Sequence, residues 1–400
     1  MTEPNERLNT PISTQELERR WSLVRAAMAD RKIDVLVMQN NNDFMGGYVK
    51  YFTDLPATNG YGLSVVFPRD DGMAVIGQGP FGMDRELPPE GDGVRRGVRR
   101  MLAVPAYSAA PYTGAYDAEL AEKALASYSG ATIGLVGTAA MPHSFVEHLK
   151  RGRLSNATFV EASDLVDEIK AVKSAEEIDL MRRTARMQDK CMEAAFAAVA
   201  PGKKDIEIAA IAEQVGHSHG SEQGLFMAAS GPVGTAAVMA NRHFQGRTLR
   251  DGDQFTLLVE SNGPGGFYTE LGRTCVLGKA SQEMKDEFAF VLEARKFALS
   301  MMKPGARPKE IWEAFNAFMR KNKRPEEKRL YSHGQGYDMV ERPLVRFDEP
   351  LPIGRDMVFS CHPTYVTERT YSWICDDFLV GASGIVERLH QFPEAIMELG

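Results

Sequence analysis

The chain has 400 residues, of which 44% are hydrophobic and 25% are charged. This length exceeds what one hydrophobic core usually organises, so we expect two domains, each with its own core. A formal net charge of -7 argues against a surface that tracks nucleic-acid phosphates. The composition therefore favours a small molecule or a peptide as the partner.

Residues 1–13 are polar and lack the apolar core of a secretory signal. No uninterrupted apolar run approaches the length that spans a bilayer, so we expect a cytoplasmic protein without a membrane partner. The cysteines are scattered without paired spacing, at Cys191, Cys275, Cys361 and Cys375. This pattern predicts buried free thiols in a reducing compartment.

Residues 1–165 alternate helical and strand-like patterns, which predicts an α/β domain. Apolar residues recur at helical spacing from Thr14 to Arg31, and a short apolar run from Ile33 to Met38 is typical of a buried strand. A second helix is predicted from Asp117 to Ser127. Further strands are predicted at Tyr61–Phe67, Met73–Gly77 and Thr132–Val136.

Residues 166–400 form the second predicted domain, of the α+β class. Ser174 and Glu177 have the spacing of a capping box, and they open a long amphipathic helix that ends before Pro201. Further helices are predicted at Asp205–His217, Glu283–Met302 and Pro308–Lys321. Strands are predicted at Phe255–Glu260, Gly266–Val276, Met357–Ser360 and Tyr371–Val380.

Side chains capable of catalysis or metal binding fall at or beside strands of this second domain. Glu260 ends an apolar strand, and Glu270 lies on its hairpin partner. His333 lies in a His-Gly-Gln-Gly segment whose glycines would leave room for a ligand, while His362 and Asp376 follow apolar runs. A single carboxylate on a strand more commonly forms a surface salt bridge, and a single histidine is more commonly a hydrogen-bonded residue of the core. Several together predict a site, because an unpaired charge on a buried strand is costly.

The motifs stand in a specific order along residues 165–400. They are the entry helix 169–187, the Gly252-Asp253 turn, Glu270-Leu-Gly-Arg-Thr274, His333-Gly-Gln-Gly336, His362-Pro363 and Asp376-Asp377-Phe-Leu-Val380. This order resembles the creatinase/aminopeptidase P/methionine aminopeptidase family. The resemblance implies that the α/β domain is followed along the chain by a pita-bread catalytic domain with a curved antiparallel sheet. It also implies a homodimer in which residues 40–56 of one subunit border the pocket of the other.

Metal-dependent family members hold two ions with two Asp, one His and two Glu. Carried over position by position, the resemblance implies Glu260, Glu270, His333, His362 and Asp376, of which only His333 is unchanged. A neutral imidazole at position 362 cannot bridge two cations as a carboxylate does. The resemblance therefore implies no metal, as in creatinase, or a single divalent transition metal (Zn, Fe or Mn) rather than an intact pair.

The family's peptidases carry a second histidine seven residues after the first, where this chain has Val340 followed by Glu341. A further family histidine has His243 as its nearest match, either entering the site or exposed on a loop. With a metal, Glu341 is the possible general base. Without one, His333 would transfer the proton, because imidazole titrates near neutral pH.

The predicted pocket is acidic, so it favours a cationic group on the substrate. Glu260 and Glu270 would bind that group, and Tyr268, Tyr337 and Trp373 could turn their ring faces toward it. Core packing is the simpler interpretation for at least half of the aromatic residues. Balancing several buried carboxylates requires a metal, a cationic substrate or an internal base, for which Arg273 is the candidate.

These observations lead to a main functional hypothesis and three alternatives. The main one is a creatinase-like hydrolase that cleaves a C–N type bond in a small polar substrate, cationic or zwitterionic. The alternatives are a metal-assisted lyase resembling the family's sulfonium-cleaving members, an Xaa-Pro peptidase-like enzyme, and a non-catalytic pita-bread scaffold that binds a ligand or partner.

Overall fold

A computed structural model of the chain describes residues 4–42, 44–45, 47–56 and 58–400. These residues divide into two units, the first ending at Lys170 and the second spanning Ala171–Gly400. Within the described ranges, no helix is long and apolar enough to cross a membrane.

The first unit is built on one seven-stranded sheet. Its central strand, β1 (Val35–Asn40), is buried along its whole length, as the apolar run predicts. The other strands are β2 (Leu63–Pro68), β3 (Met73–Gln78), β4 (Met83–Glu86), β5 (Val98–Val104), β6 (Thr132–Val136) and β7 (Thr158–Glu161). The helices are α1 (Thr14–Asp30), α2 (Gly47–Thr53), α3 (Tyr116–Ala124), α4 (His143–Arg151) and α5 (Ser163–Lys170).

The strand order of this sheet is β4-β5-β3-β2-β1-β6-β7. Strand β1 runs antiparallel to β2 and parallel to β6, so the sheet is mixed. Parallel neighbours need crossover connections, which α3 and α4 help to provide. This arrangement confirms the predicted α/β character of the N-terminal part.

The second unit contains four helices and eleven strands among the described residues. The helices are α6 (Ala175–Ala197), α7 (Asp205–Ser218), α8 (Gln282–Met301) and α9 (Pro308–Lys321). The strands are β8 (Gly224–Pro232), β9 (Asp253–Asn262), β10 (Tyr268–Leu277), β11 (Ser332–Gly334), β12 (Glu341–Leu344), β13 (Val358–Cys361), β14 (Thr364–Val366), β15 (Tyr371–Trp373), β16 (Asp376–Val380), β17 (Ile385–Arg388) and β18 (Met397–Leu399).

Two mainly antiparallel sheets organise the second unit. One has the order β18-β10-β9-β8 and the other β12-β11-β13-β16-β17. A backbone bridge between Gly272 and Cys375 joins β10 to the start of β16. The predicted α+β pita-bread class is confirmed, and the junction brings side chains from both sheets together.

Helix α6 begins at the predicted capping box. The Ser174 hydroxyl accepts from the backbone N–H of Glu177 at 3.2 Å, and the Ser174 N–H donates to the Glu177 carboxylate at 2.6 Å. The buried face of α6, with Met192 and Phe196, packs in one core with Phe255 and Leu257 of β9. The cap and this core fix α6 against the sheet that carries the site.

All four thiols are free and buried, as their scattered spacing predicts. The single strand predicted from Tyr371 to Val380 is instead two strands, β15 and β16, separated at Ile374 and Cys375.

Candidate active site

A pair of carboxylates lies on the hairpin formed by β9 and β10. Glu260 stands directly opposite Glu270 in the strand register, and the two residues are 8% and 6% exposed. Opposed residues share one face of a sheet, so the two acids are neighbours in a dry environment. Burial, and then repulsion from Glu270 and Asp377, raises the pKa of Glu260 well above its usual range.

His333 lies on β11 with one ring nitrogen directed at this acid pair. Its Nδ1 is 3.0 Å from the carbonyl oxygen of Gly334, which can only accept, so Nδ1 carries the proton. The lone pair is then on Nε2, 3.7 Å from Oε2 of Glu270. Burial lowers the pKa of His333 to about 4, which keeps the imidazole neutral at physiological pH.

His362 follows β13 and completes a group of three. Its Nε2 is 3.9 Å from the same Glu270 oxygen, and its ring centre is 5.2 Å from that of His333. Burial, with the charge of Arg329, lowers its pKa to about 4. One ligand atom from each of the three residues lies within 4.8 Å of the others. Two neutral imidazoles and one carboxylate fit a single divalent transition metal.

Three residues that were not predicted contact or face Glu270. The Ser360 hydroxyl donates to Glu270 Oε2 at 2.7 Å and lies 3.1 Å from the sulfur of Cys375. Asp377 pairs with Ser360 across β13 and β16, and its Oδ2 accepts from the Glu270 backbone N–H at 3.3 Å. Burial, and then the charge of Glu270, raises the pKa of Asp377 well above its usual range. Its Oδ1 has no partner among the described residues.

Asp376 differs from the prediction that made it a metal ligand. Its Oδ1 accepts from Nη2 of Arg273 at 2.7 Å, and its Oδ2 accepts from Nη1 of Arg295 at 2.5 Å. Successive strand residues point to opposite faces, so Asp377 lies toward Glu270 and Asp376 lies away from it. Burial opposes ionisation of Asp376, but the two guanidinium groups outweigh it and lower its pKa to about 2.

Arg273, the candidate internal base, pairs with the buried carboxylate of Asp376. Its side chain is fully buried, and besides Asp376 it donates to the carbonyl oxygens of Gly272, Cys375 and Pro393. These bonds connect β10 to the segments around Cys375 and Pro393. Arg273 therefore has a structural role, since it holds buried segments of the second unit together through hydrogen bonds and an ion pair.

Glu341 is tied to a buried cation. Lys173 Nζ lies 2.9 Å from Glu341 Oε2, and both side chains are almost wholly excluded from solvent. The other oxygen accepts from the backbone N–H groups of Tyr337 and Asp338 at 2.8 and 3.2 Å. A Cβ on Gly336 would overlap this carboxylate. Gly336 therefore leaves room for Glu341, whereas the sequence suggested that it leaves room for a ligand.

The predicted aromatic residues are largely core side chains. Tyr337 stacks on Phe267 with ring centres 4.2 Å apart, and Trp373 stacks on Tyr371 at 5.8 Å. Tyr268 is 1% exposed. A Cβ on Gly272 would overlap the Trp373 ring, so this indole packs directly against β10.

His243 lies in an exposed single-turn segment, where its ring packs edge-on against Phe244 at 5.0 Å. The structure does not place it in the Glu270, His333 and His362 group. This location agrees with the alternative of an exposed loop histidine.

Comparison with known proteins identifies related chains. The model of metallopeptidase family M24 matches residues 179–383, slightly more than half of the chain. The Xaa-Pro dipeptidase of Pyrococcus horikoshii is 27% identical over 236 residues, which cover 56% of this chain and 63% of that protein. The Xaa-Pro dipeptidase of Pyrococcus furiosus is 27% identical over 244 residues, covering 58% and 66%. The alignments thus span somewhat less than two thirds of these relatives.

Solved structures with the same fold cover nearly the whole chain. The X-Pro aminopeptidase from Thermotoga maritima aligns with a TM-score of 0.76 at 18% identity, covering 96% of this chain and 99% of that one. Dipeptidase PepE from Mycobacterium ulcerans gives a TM-score of 0.74 at 20% identity, covering 97% and 99%. These structures share the fold of this chain, and the family match to residues 179–383 shows that the chain belongs to metallopeptidase family M24.

Proposed function

We propose that the chain is a hydrolase that cleaves a C–N bond in a small, peptide-like substrate, using a single divalent transition metal. The observation that carries this proposal is the convergence of Glu270, His333 and His362, whose ligand atoms lie within 4.8 Å of one another. Two imidazoles and a carboxylate form a common ligand set of hydrolytic zinc sites. These three residues would hold the ion.

A metal held there would activate water and polarise the scissile carbonyl group. The chain's own groups prepare the site for this. The Nδ1–H of His333 is held by the Gly334 carbonyl, so the Nε2 lone pair faces Glu270. The Ser360 hydroxyl fixes the orientation of the Glu270 carboxylate.

Glu260 is the group best placed to move a proton. Burial, and then the neighbouring carboxyl groups of Glu270 and Asp377, raise its pKa well above the ordinary value, because they disfavour a further charge. A protonated carboxyl group can donate to a leaving nitrogen and recover the proton from water. Glu260 would then take the proton-transfer role that the sequence suggested for Glu341, whose carboxylate is bound by Lys173 and two backbone amides.

Xaa-Pro dipeptides form the first substrate class to test, because the two Pyrococcus relatives carry that name. Creatine is the matched comparison for the creatinase-like alternative. We expect turnover of an Xaa-Pro dipeptide to exceed that of creatine, and to require added Zn, Fe or Mn after treatment with a chelator. Faster, metal-independent turnover of creatine would contradict the proposal.

Metal content tests the ligand assignment directly. Protein purified without chelators is expected to hold about one equivalent of metal per chain. The variants His333→Ala and His362→Ala should each lose it, while the exposed His219→Ala serves as the control. If the His333 variant stays folded, by circular dichroism, and keeps full activity, the assignment is wrong.

A creatinase-like, metal-free reaction is the second candidate. It is favoured by the buried acids Glu260, Glu270 and Asp377, which a cationic substrate would complement. In this version His333 would transfer the proton. Incorporation of oxygen from labelled water separates either hydrolase from a lyase, and tight partner binding without turnover would instead favour a scaffold.

A homodimer in which residues 40–56 border the partner's pocket is part of the same proposal. Within this segment Asp43 and Gly46 lie outside the described residues. Light scattering should give the mass of two chains at concentrations where the enzyme is active. A strictly monomeric mass under those conditions would contradict the dimer.

A further inference from the structure

A cavity of about 460 Å³ lies in the first unit, at the carboxyl ends of several strands of its seven-stranded sheet. This volume falls within the range of small-molecule sites. Its lining includes residues that follow three strands: Asn41 after β1, Ala106 and Tyr107 after β5, and Met141 after β6. The carboxyl ends of these strands therefore meet at the cavity.

The sheet topology reverses at this point. From β1 the chain continues to β2 on one side, whereas β6 and then β7 lie on the other side. Strands β1 and β6 run parallel, so their carboxyl ends lie side by side, while the strands that follow them, β2 and β7, lie on opposite sides of the pair. In open α/β sheets, ligands bind in such crevices at the carboxyl ends of the strands.

Gln39 lines this cavity with an unpaired acceptor. The residue is 3% exposed, and its Nε2 donates to Ser64 Oγ at 3.1 Å and to Asp117 Oδ2 at 3.0 Å. The carboxylate can only accept, so this bond fixes which end of the amide faces Asp117. The remaining oxygen, Oε1, is buried and has no partner among the described residues. A buried acceptor is costly until a donor reaches it.

Asp117 adds a carboxylate to the same lining. Within the described residues no cationic side chain pairs with it, and burial raises its pKa to about 6. Gly62 lies so close that a Cβ there would be 3.4 Å from Asp117 Oδ2. The start of α3 accounts for an acidic residue at this position, but it does not account for the unpaired oxygen of Gln39.

We propose that this cavity binds a small compound that carries an ammonium group on an apolar body. An ammonium group donates several hydrogen bonds, so it would supply both the cation that the Asp117 carboxylate lacks and the donor that Gln39 Oε1 lacks. Tyr107 lines the cavity and packs against Tyr61 in a T-shaped contact with ring centres 6.5 Å apart, and an aromatic ring attracts an ammonium group. Met141, Pro142 and Ala106 provide the apolar surface for the rest of the ligand.

The probe for this site is 2-phenylethylamine, with 2-phenylethanol as the neutral control and 3-phenylpropanoate as the anionic one. Binding to the full chain is measured by isothermal titration calorimetry. We expect the amine to bind, the alcohol to bind at least about tenfold more weakly, and the anion not to bind. Equal binding of the amine and the alcohol would overturn the proposal.

Variants locate the binding to this cavity. Asp117→Asn should weaken amine binding by about tenfold or more, whereas Asp164→Asn, an exposed aspartate in the first turn of α5, should not. Because the candidate active site is also acidic, Glu270→Gln is included and should leave the affinity unchanged. If Glu270→Gln abolishes binding and Asp117→Asn does not, the amine binds elsewhere and the proposal fails.

Discussion

Arg273 and Asp376 form a fully buried ion pair, with Nη2 and Oδ1 2.7 Å apart and neither side chain exposed to solvent. Arg295 occupies the second carboxylate oxygen at 2.5 Å, and Arg388 lies 3.2 Å from the first. The single carboxylate thus compensates several positive charges. Removing it would leave the buried Arg273 guanidinium without its ion-pair partner, whereas Arg295 and Arg388 would keep Glu394.

We predict that Asp376→Asn destabilises the protein by about 3–5 kcal/mol, because breaking a buried pair leaves uncompensated charge. The matched control is Glu283→Gln, whose partner Arg369 is exposed, and it should cost less than about 1 kcal/mol. Denaturant unfolding measures both values. Similar losses for the two variants would contradict the structural role of Asp376.

The same residue gives a pH dependence. The pKa of Asp376 is about 2 in the folded protein, against an ordinary value of 3.8. A lowered carboxyl pKa stabilises the folded state above the ordinary value, and this contribution is lost as the pH falls toward the folded value. The acid-induced loss of stability between about pH 4 and pH 2 should therefore be shallower in Asp376→Asn than in the parent.

Ser360→Ala should lower activity while leaving the fold intact. The hydroxyl that orients Glu270 at 2.7 Å is removed, and loss of such a supporting hydrogen bond commonly costs about 10- to 100-fold in metal affinity or activity. Thr274→Val is the control, because it removes a buried hydroxyl that contacts Thr256 on the same hairpin. Kinetics and metal titration provide the measurement. Equal effects of the two substitutions would point to general packing.

Glu341→Gln separates a structural role from general-base catalysis. We expect it to destabilise the protein by roughly 3 kcal/mol and to speed hydrogen exchange at the Tyr337 amide, since the buried pair with Lys173 is broken. Lys173→Met should reproduce both changes. A large fall in kcat in Glu341→Gln, with unchanged stability and unchanged exchange, would instead identify Glu341 as the base.

Gly272→Ala should disturb the packing of β10 against Trp373. A Cβ there overlaps the Trp373 ring, and such overpacking typically costs about 1–3 kcal/mol. The near-ultraviolet circular dichroism of Trp373 should change as well. At Gly246 an added Cβ meets no atom within 4 Å, so Gly246→Ala is the control and should retain the parent spectrum.

The thiols should be inert in the native state. All four cysteines are buried, and burial raises the pKa of Cys191 and of Cys361 to about 12. Because the thiolate is the reactive form, a disulfide reagent should modify no cysteine until the protein unfolds. Rapid labelling of Cys361 in the folded protein would show that the site opens to solvent.

The periodicity of apolar residues predicted several helices and strands correctly. Thr132–Val136 and Pro308–Lys321 have the predicted bounds, and the capping box at Ser174 is present. Strand β8 was not predicted, because its run of Ala, Ser and Gly lacks the alternation of a half-buried strand.

The candidate site was predicted in part. The neighbourhood of Glu270, His333 and His362 agrees with the motif order, but the roles of Ser360, Cys375 and Asp377 were missed. Asp376 and Asp377 are adjacent and both buried, so the sequence alone does not show which of the two carboxylates faces Glu270. The structure places Asp377 beside Glu270, whereas the family resemblance implied Asp376 there.

The adjacent acids Asp376 and Asp377 experience opposite surroundings, and this contrast constrains the alignment of β16. A shift of the strand by one residue would exchange the two faces, moving Asp376 away from its arginines and placing Asp377 among them. The same shift would remove the acceptor that the Glu270 amide uses. The arginine cluster therefore helps to fix the register of β16, and in this way it keeps Asp377 beside Glu270 although it does not contact Glu270 itself.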